Sequence, residues 1–331
     1  MGHLPVLWFG CEGTGCTVNP FPAVATPAES AIQSISSHIS ARSSGLSFRF
    51  IGASPKTEER LAWQFFFLLK SLSPINGYHV EALLGGGSYG MVVKVIKAGR
   101  YYAMKVCSQQ YLRQIRQPPC AAADLCRREA EVLKCIRHPE IPGYVDFFQY
   151  EGLFCLVEEY MPGDTLAMAI SSDYRYQEEE VREIILKLLL ILEFLHTPTA
   201  GKPAVIHRDL RLSNLIMIDG RLVLIDFGLA YRIQNCSDME LLVQCQMART
   251  DVDDSLSYVE NRNGFSLQSD LFGAGVVAVD LFTNSAIGDE GTSWEQKIPV
   301  SRPFILYIRK LLGVEGVFAS CSEAMKYLRS I

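Results

Sequence analysis

Ile206-His207-Arg208-Asp209-Leu210-Arg211-Leu212-Ser213-Asn214, with Asp226-Phe227-Gly228 following 12 residues after Asn214, is the stretch that decides how the chain is read. Before it, Glu178–His196 carries apolar residues at Val181, Ile184, Ile185, Leu188, Leu192 and Leu195, which is one face of a buried helix. After it come strand-like Leu215–Ile218 and the apolar run Leu222–Ile225, either side of a turn at Asp219-Gly220. The polar residues therefore sit on loops at the ends of buried elements. Asp209 can accept the proton of an attacking hydroxyl. Asn214 can bind a divalent metal through its amide oxygen, and Arg211 can neutralise charge on a moving phosphoryl group. His207 reads as a structural residue that fixes its neighbours by hydrogen bonds rather than as a metal ligand. Asp226, at the end of a buried strand, suits Mg²⁺, and Gly228 permits the turn that aims it.

Upstream, Leu84-Gly85-Gly86-Gly87-Ser88-Tyr89-Gly90-Met91-Val92 lies between strand-like His79–Leu84 and Met91–Lys97. Gly85, Gly87 and Gly90 let a hairpin close over polyphosphate and offer backbone N–H groups. A dinucleotide-binding loop shares the spacing but leads into a helix, whereas here a second strand follows. On the next strand, Tyr101–Val106, Ala103 leaves room for a flat base. Lys105 alternates into the core and needs an anionic partner there. The helix over Ala121–Ile136 supplies one: Glu129 falls in the apolar stripe of Leu125, Val132, Leu133 and Ile136. The alternative is a glutamate at the stripe edge that reaches water.

The ordered set of glycine-rich loop, AxK, helix Glu, HRDxxxxN and DFG resembles the eukaryotic-like (Hanks-type) protein kinase family over about residues 78–331, with the compact bacterial Ser/Thr kinases as the nearest flavour. The resemblance implies an α+β, bilobal fold: a β-rich N-lobe over 78–160 and an α-helical C-lobe over 164–331. It implies transfer of the γ-phosphoryl group of ATP to a protein hydroxyl, with Mg²⁺ or Mn²⁺. In the family's terms Leu84, Gly85, Gly86, Gly87, Ser88, Tyr89, Gly90, Val92 and Ala103 enclose ATP, and Lys105 binds its α/β-phosphates while paired with Glu129. Glu159-Tyr160-Met161 is the hinge that meets adenine through the backbone, with Glu159 and Met161 as its contacts. Asp209 is the proton acceptor, Asn214 and Asp226 hold the metal, and Asp270 braces the catalytic loop.

Some positions depart from the family pattern. Tyr258-Val259-Glu260 stands where the family has Ala-Pro-Glu, with no arginine near Phe318–Ser320 to pair with the glutamate. The stretch between Phe282 and Pro303 is short, Glu158 stands at the gatekeeper position, and Arg211 replaces the usual lysine. These leave the nucleotide site whole and bear on peptide recognition. Two other readings are a pseudokinase that keeps the fold as a binding module, and a small-molecule kinase on a related fold. A phosphate on Thr250, Ser255 or Ser257 could be drawn to Arg208; beside Asp251, Asp253 and Asp254 these residues equally read as loop hydroxyls in a solvated turn.

The bulk numbers agree. With 331 residues, 49% of them hydrophobic, the chain can build two lobes around a sizeable core. A net charge of −5 argues against a nucleic-acid partner. Ten cysteines without CxxC spacing read as reduced, apolar residues of a cytoplasmic protein. No apolar run reaches the ~20 residues of a transmembrane segment. Residues 1–55, with two acids, two arginines and no lysine, read as a disordered leader; their Ser-rich character also faintly resembles a transit peptide. Residues 56–77 read as a docking helix, with Leu61, Phe65, Leu68 and Leu72 on one face.

Overall fold

The computed structural model describes residues 55–87, 90–108, 122–233, 261–287 and 293–331. Outside them lie the expected leader to residue 54, Ser88, Tyr89, Thr250, Ser255, Ser257 and Tyr258-Val259-Glu260, as do the side chains of Leu61 and Leu125. The chain opens with helix α1 (Pro55–Ser71), then strands β1 (His79–Gly87), β2 (Gly90–Lys97) and β3 (Arg100–Ser108), helix α2 (Ala122–Cys135), and strands β4 (Tyr144–Tyr150) and β5 (Leu153–Glu159). The five strands form one antiparallel sheet in the order β1-β2-β3-β5-β4.

Period-two alternation gives this sheet two different faces. The cross-strand partners Val92↔Lys105 and Ala103↔Glu158 share one face with each other. The other face carries Met91, Val93 and Val95 of β2, Met104 and Val106 of β3, and Cys155 and Val157 of β5, all at 0% exposure. An apolar sheet face must be covered. Here α1 covers it: Ala62, Phe65, Phe66, Leu68 and Leu69 join these strand residues in one buried cluster. Of the face expected from the sequence, Phe65 and Leu68 are buried in this cluster and Leu72 packs partly buried beside it.

The second half is mainly helical: α3 (Leu166–Ser171), α4 (Glu178–His196), α5 (Leu267–Asp280), α6 (Trp294–Lys297), α7 (Arg302–Leu311) and α8 (Cys321–Leu328). Two small hairpin-like pairs lie between α4 and α5. β7 (Leu215–Ile218) pairs with β8 (Arg221–Leu224), and β6 (Ala204–Ile206) pairs with β9 (Tyr231–Ile233). β9 falls in a stretch that reads as irregular from sequence, because three residues are too few to show a period. Ser266 N-caps α5, its Oγ accepting from the Ser269 N–H at 3.3 Å. α4 buries Val181, Ile184, Ile185, Leu188, Leu189, Ile191, Leu192 and Leu195 at the centre of the larger core. Ala130, Val132, Leu133 and Ile136 of α2 and Leu156 of β5 belong to that same core, so the two lobes share apolar packing behind the cleft between them. The arrangement is the α+β, two-lobed one expected from the sequence.

Truncating a side chain of α1 tests whether the helix belongs to the folded core. Leu69→Ala, at a position with 0% exposure, is expected to lower unfolding stability by about 3 kcal/mol. Phe67→Ala, at 44% exposure, should change it by less than about 1 kcal/mol. Urea denaturation with unchanged m-values is the measurement.

Candidate active site

The site forms where the ends of β3, α2, β8 and the loop after β6 meet. Lys105 projects from β3, and its Nζ lies 2.7 Å from Glu129 Oε2 and 2.8 Å from Asp226 Oδ1. Glu129 is 2% exposed on the inward stripe of α2, as its sequence position predicts. Lys105 thus meets two carboxylates, where the sequence pattern predicts only Glu129 as its partner and assigns Asp226 to a metal. Burial works against the charge on Lys105, but Asp226 and Glu129 outweigh it and hold the ammonium well above the usual lysine value. Burial pushes Asp226 up, yet the Lys105 charge and hydrogen bond and the Gly228 N–H bring its carboxyl down to about 2. Glu129 ends above the ordinary glutamate value, because burial exceeds the pull of Lys105.

Glycine is needed at two places here. A Cβ on Gly228 would stand 2.7 Å from Lys105 Nζ, and one on Gly90 would stand 2.5 Å from the Val106 carbonyl oxygen. The first opens the path between Lys105 and Asp226; the second lets the main chain lie close to Val106 of β3, the partner of Met91, as β2 leaves the glycine-rich turn. In that turn β1 and β2 pair Gly85↔Val92, Gly86↔Met91 and Gly87↔Gly90. Leu84 is half-buried next to them.

Asp209 is buried, and two neighbours fix its carboxylate through three hydrogen bonds. Arg211 donates from Nε at 2.9 Å and from Nη2 to Oδ1. Asn214 Nδ2 donates to Oδ2 at 3.1 Å and to the Asp209 carbonyl at 2.9 Å. Asn214 ends a single 3₁₀ turn, Leu212–Asn214, and its own carbonyl accepts from the Ile225 N–H at 2.9 Å, one residue before Asp226. The loop carrying Asp209 and the turn after β8 that carries Asp226 are thereby joined. His207 completes the join: its Nε2 lies 3.2 Å from the Ile225 carbonyl, its Nδ1 accepts from the Asp209 N–H at 3.3 Å, and its ring packs edge-on against buried Phe227.

Asp270, at 0% exposure, supports this loop from α5. Its two oxygens accept from the N–H groups of His207 and Arg208, each at 2.8 Å. Oδ2 also meets His196 Nε2 at 2.9 Å, and His196 Nδ1 lies 3.5 Å from Cys321 Sγ. Burial raises Asp270, but the His196 bond, the charges of His196 and His207 and the Arg208 N–H keep it below the ordinary aspartate value. The sequence pattern marks His196 only as the end of a helix. Its signal was its register: it falls four residues after Leu192, on the buried face.

At the back of the cleft Glu158 shares the Lys105 face of the sheet. Burial, with the nearby negative charge of Glu129, pushes its carboxyl up to about 8 against the pull of Lys105. Its neighbour Glu159 turns away, with Oε2 accepting from the Gly143 N–H at 3.0 Å. Tyr160 and Met161 follow as half-buried residues of the link to α3. Among the described residues, Lys105, Glu129, Asp209, Arg211, Asn214 and Asp226 thus form two bonded groups, linked through the Asn214–Ile225 backbone bond.

A protein-family profile described as "Protein kinase domain" matches residues 78–310. The chain is 30% identical over 264 residues to Serine/threonine-protein kinase B of Synechocystis, covering 72% of this chain and 43% of that protein. It is 27% identical over 247 residues to the probable serine/threonine-protein kinase YbdM of Bacillus subtilis, covering 72% of this chain and 82% of that one. Among solved structures, the Mycobacterium tuberculosis PknI kinase domain superposes with a TM-score of 0.53 at 21% identity, over 77% of this chain and 96% of that one.

The lowered value of Asp270 makes a signed prediction. A carboxylate held below its unfolded value stabilises the fold above about pH 4 and loses that contribution as pH falls through its folded value. Asp270→Asn is therefore expected to be less stable than wild type at pH 6, with the difference narrowing towards pH 2. Urea midpoints across that range are the check; a difference independent of pH would contradict the assignment.

Proposed function

The chain belongs to the protein kinase family, and from that premise we propose that it transfers the γ-phosphoryl group of ATP to a serine or threonine hydroxyl of a protein, with Asp209 taking the hydroxyl proton. The observation that carries the reading is the buried Lys105–Glu129 pair at 2.7 Å, in a cleft that also holds Asp209. In a core, an ammonium anchored on two carboxylates is held in one place. It can therefore meet phosphate oxygens without moving. Gly85, Gly86, Gly87, Ser88, Tyr89 and Gly90 offer backbone N–H groups over the phosphates. Val92 and Ala103 face the base from the sheet, and Glu159 and Met161 meet its edge through their backbone. The acidic partners of Lys105 keep it charged at any pH at which the enzyme works.

Asp209 is prepared for its task by its neighbours. Arg211 and Asn214 hold its carboxylate in place, one on each oxygen. When the nucleotide arrives, the Arg211 guanidinium is close enough to share its charge with the transferred group. A divalent cation fits the donors available. Asn214 spends its Nδ2 on Asp209, which leaves its amide oxygen, and Asp226 keeps 44% of its side chain exposed towards the cleft. Both are hard oxygen donors, the kind Mg²⁺ and Mn²⁺ prefer. When bound there, the ion neutralises polyphosphate charge; Asn214 and Asp226 hold it, and Lys105 stays on Glu129. In this reading the catalytic unit begins with α1 rather than at residue 78, because α1 completes the N-lobe core.

Asp209→Asn keeps the shape and removes the acceptor. Its rate of phosphate incorporation, into the chain itself or into a generic basic protein, is expected to fall by about a hundredfold or more. Lys105→Met should lower the rate by a similar factor. Radiolabel transfer, with mass-spectrometric mapping of the modified residues, measures both activity and hydroxyl preference. Equal background signal in wild type and variant would end the proposal, and phosphate found on tyrosine alone would end its serine/threonine part.

A further inference from the structure

We propose that Lys94 is a positioning residue for the nucleotide: caged between the rings of Tyr101 and Tyr160, it holds the link after β5 against the sheet, so that this link meets the edge of the base. The inference rests on the reading of the cleft given above and concerns which residues set the affinity for ATP. Period-two alternation places Lys94 on the sheet face of Val92, Tyr101 on that of Ala103 and Lys105, and Tyr160 two residues beyond Glu158. The cross-strand pairs Lys94↔Ala103 and Ala103↔Glu158 bring these positions together. Lys94 Nζ lies 4.0 Å from the ring centroid of Tyr101 and 4.5 Å from that of Tyr160. The two rings meet edge-on, with centroids 6.4 Å apart at 63°. Among the described residues Lys94 has no hydrogen bond and no carboxylate partner. Its charge is met by the two ring faces.

The cage closes where the chain leaves the sheet. Tyr102↔Glu159 is the last pair between β3 and β5, so Tyr160 departs from the ladder beside Tyr101. Glu159 is fastened to Gly143 twice: its N–H donates to the Gly143 carbonyl at 2.9 Å, and its Oε2 accepts from the Gly143 N–H at 3.0 Å. Tyr160, the next residue, is fastened by its ring. It stands between Glu159 and Met161, the two residues proposed to meet the base. Fixing that ring restrains the two planar peptide groups that Tyr160 shares with them. Lys94 also joins the link to the roof of the site, because only Val93 separates it from Val92, which follows the glycine-rich turn. One side chain thus sets roof and edge relative to each other.

The test is calorimetric binding of Mg-ATP, and separately of inorganic tripolyphosphate, to the full chain, with kcat and KM measured alongside. Lys94→Gln removes the charge and keeps most of the reach; Tyr160→Leu removes the ring and keeps an apolar side chain. Each is expected to raise Kd and KM for ATP about five- to tenfold, with kcat within about twofold of wild type. Tripolyphosphate has no base to meet the link, so its affinity should stay within about twofold. A loss there equal to the loss for ATP would make Lys94 a charge that attracts phosphate, and overturns the proposal. Lys94→Arg and Tyr160→Phe keep cation and ring and should bind ATP as wild type does. The double variant Lys94→Gln/Tyr160→Leu should be no weaker than the weaker single one, because the two residues act as a unit. Additive losses, an equal loss in Lys94→Arg, or an ATP affinity unmoved by Lys94→Gln each overturn the proposal as well. Tyr101→Leu takes the place of Tyr160→Leu if the latter does not fold. Wild type that binds Mg-ATP but transfers no phosphate would overturn the kinase reading alone, and the binding ratios would still decide the cage. Wild type that binds no Mg-ATP would end both.

Discussion

A buried ammonium cannot stay charged without carboxylates, and a buried carboxylate cannot stay charged without a cation. Lys105, Glu129 and Asp226 meet that condition together. They come from a strand, a helix and a loop that are far apart in sequence, so satisfying their charges fixes the relative position of all three. Displacing α2 outward would leave Lys105 with one partner fewer and buried Glu129 without its cation. Turning the loop at Asp226 would do likewise. The polar centre thus reports on the placement of the lobes, and the apolar packing behind it, from Leu133 to Phe227, is what makes that placement affordable.

Asp270 has the corresponding role in the C-lobe. It makes no approach to the cleft, yet two loop N–H groups and His196 depend on it. Such amides, buried without an acceptor, would each cost about 1–3 kcal/mol. The carboxylate of Asp270 removes that cost and fixes the main chain on which Asp209 is mounted. The catalytic loop is therefore held from below by α5 and from the side by β8, through Ile225. Little of its geometry is left to the loop itself.

Much of this was legible in the residues alone, for identifiable reasons. Asp209, Asn214 and Asp226 stand out in the sequence because the proposed metal and proton acceptor would need fixed residue types at fixed spacing. Glu129 was legible because a carboxylate in an apolar stripe is out of place. The same logic found α1, but not what it covers; the alternating Met91, Val93 and Val95 with Met104 and Val106 were the missing half of that inference. The contacts of Lys94 were beyond reach. Its partners are ring faces, which every tyrosine has, so the sequence carries no mark of them. The β6–β9 pair was hidden by its brevity, and the second bond of Lys105 by the assumption that one anion suffices.

Glu158 has a consequence for any molecule that enters the cleft. Burial and the charge of Glu129 hold its carboxyl above the ordinary glutamate range, so the back wall leans towards a neutral acid able to donate as well as accept. It is also responsive. An amine or amidinium reaching that wall would favour the ionised form and draw off the proton, creating the anion to which it binds. A carboxylate placed there would meet a wall that stays neutral beside Glu129. The depth of this cleft therefore sorts its visitors by charge: cations reshape the wall in their own favour, and anions gain from it only as far as Lys105.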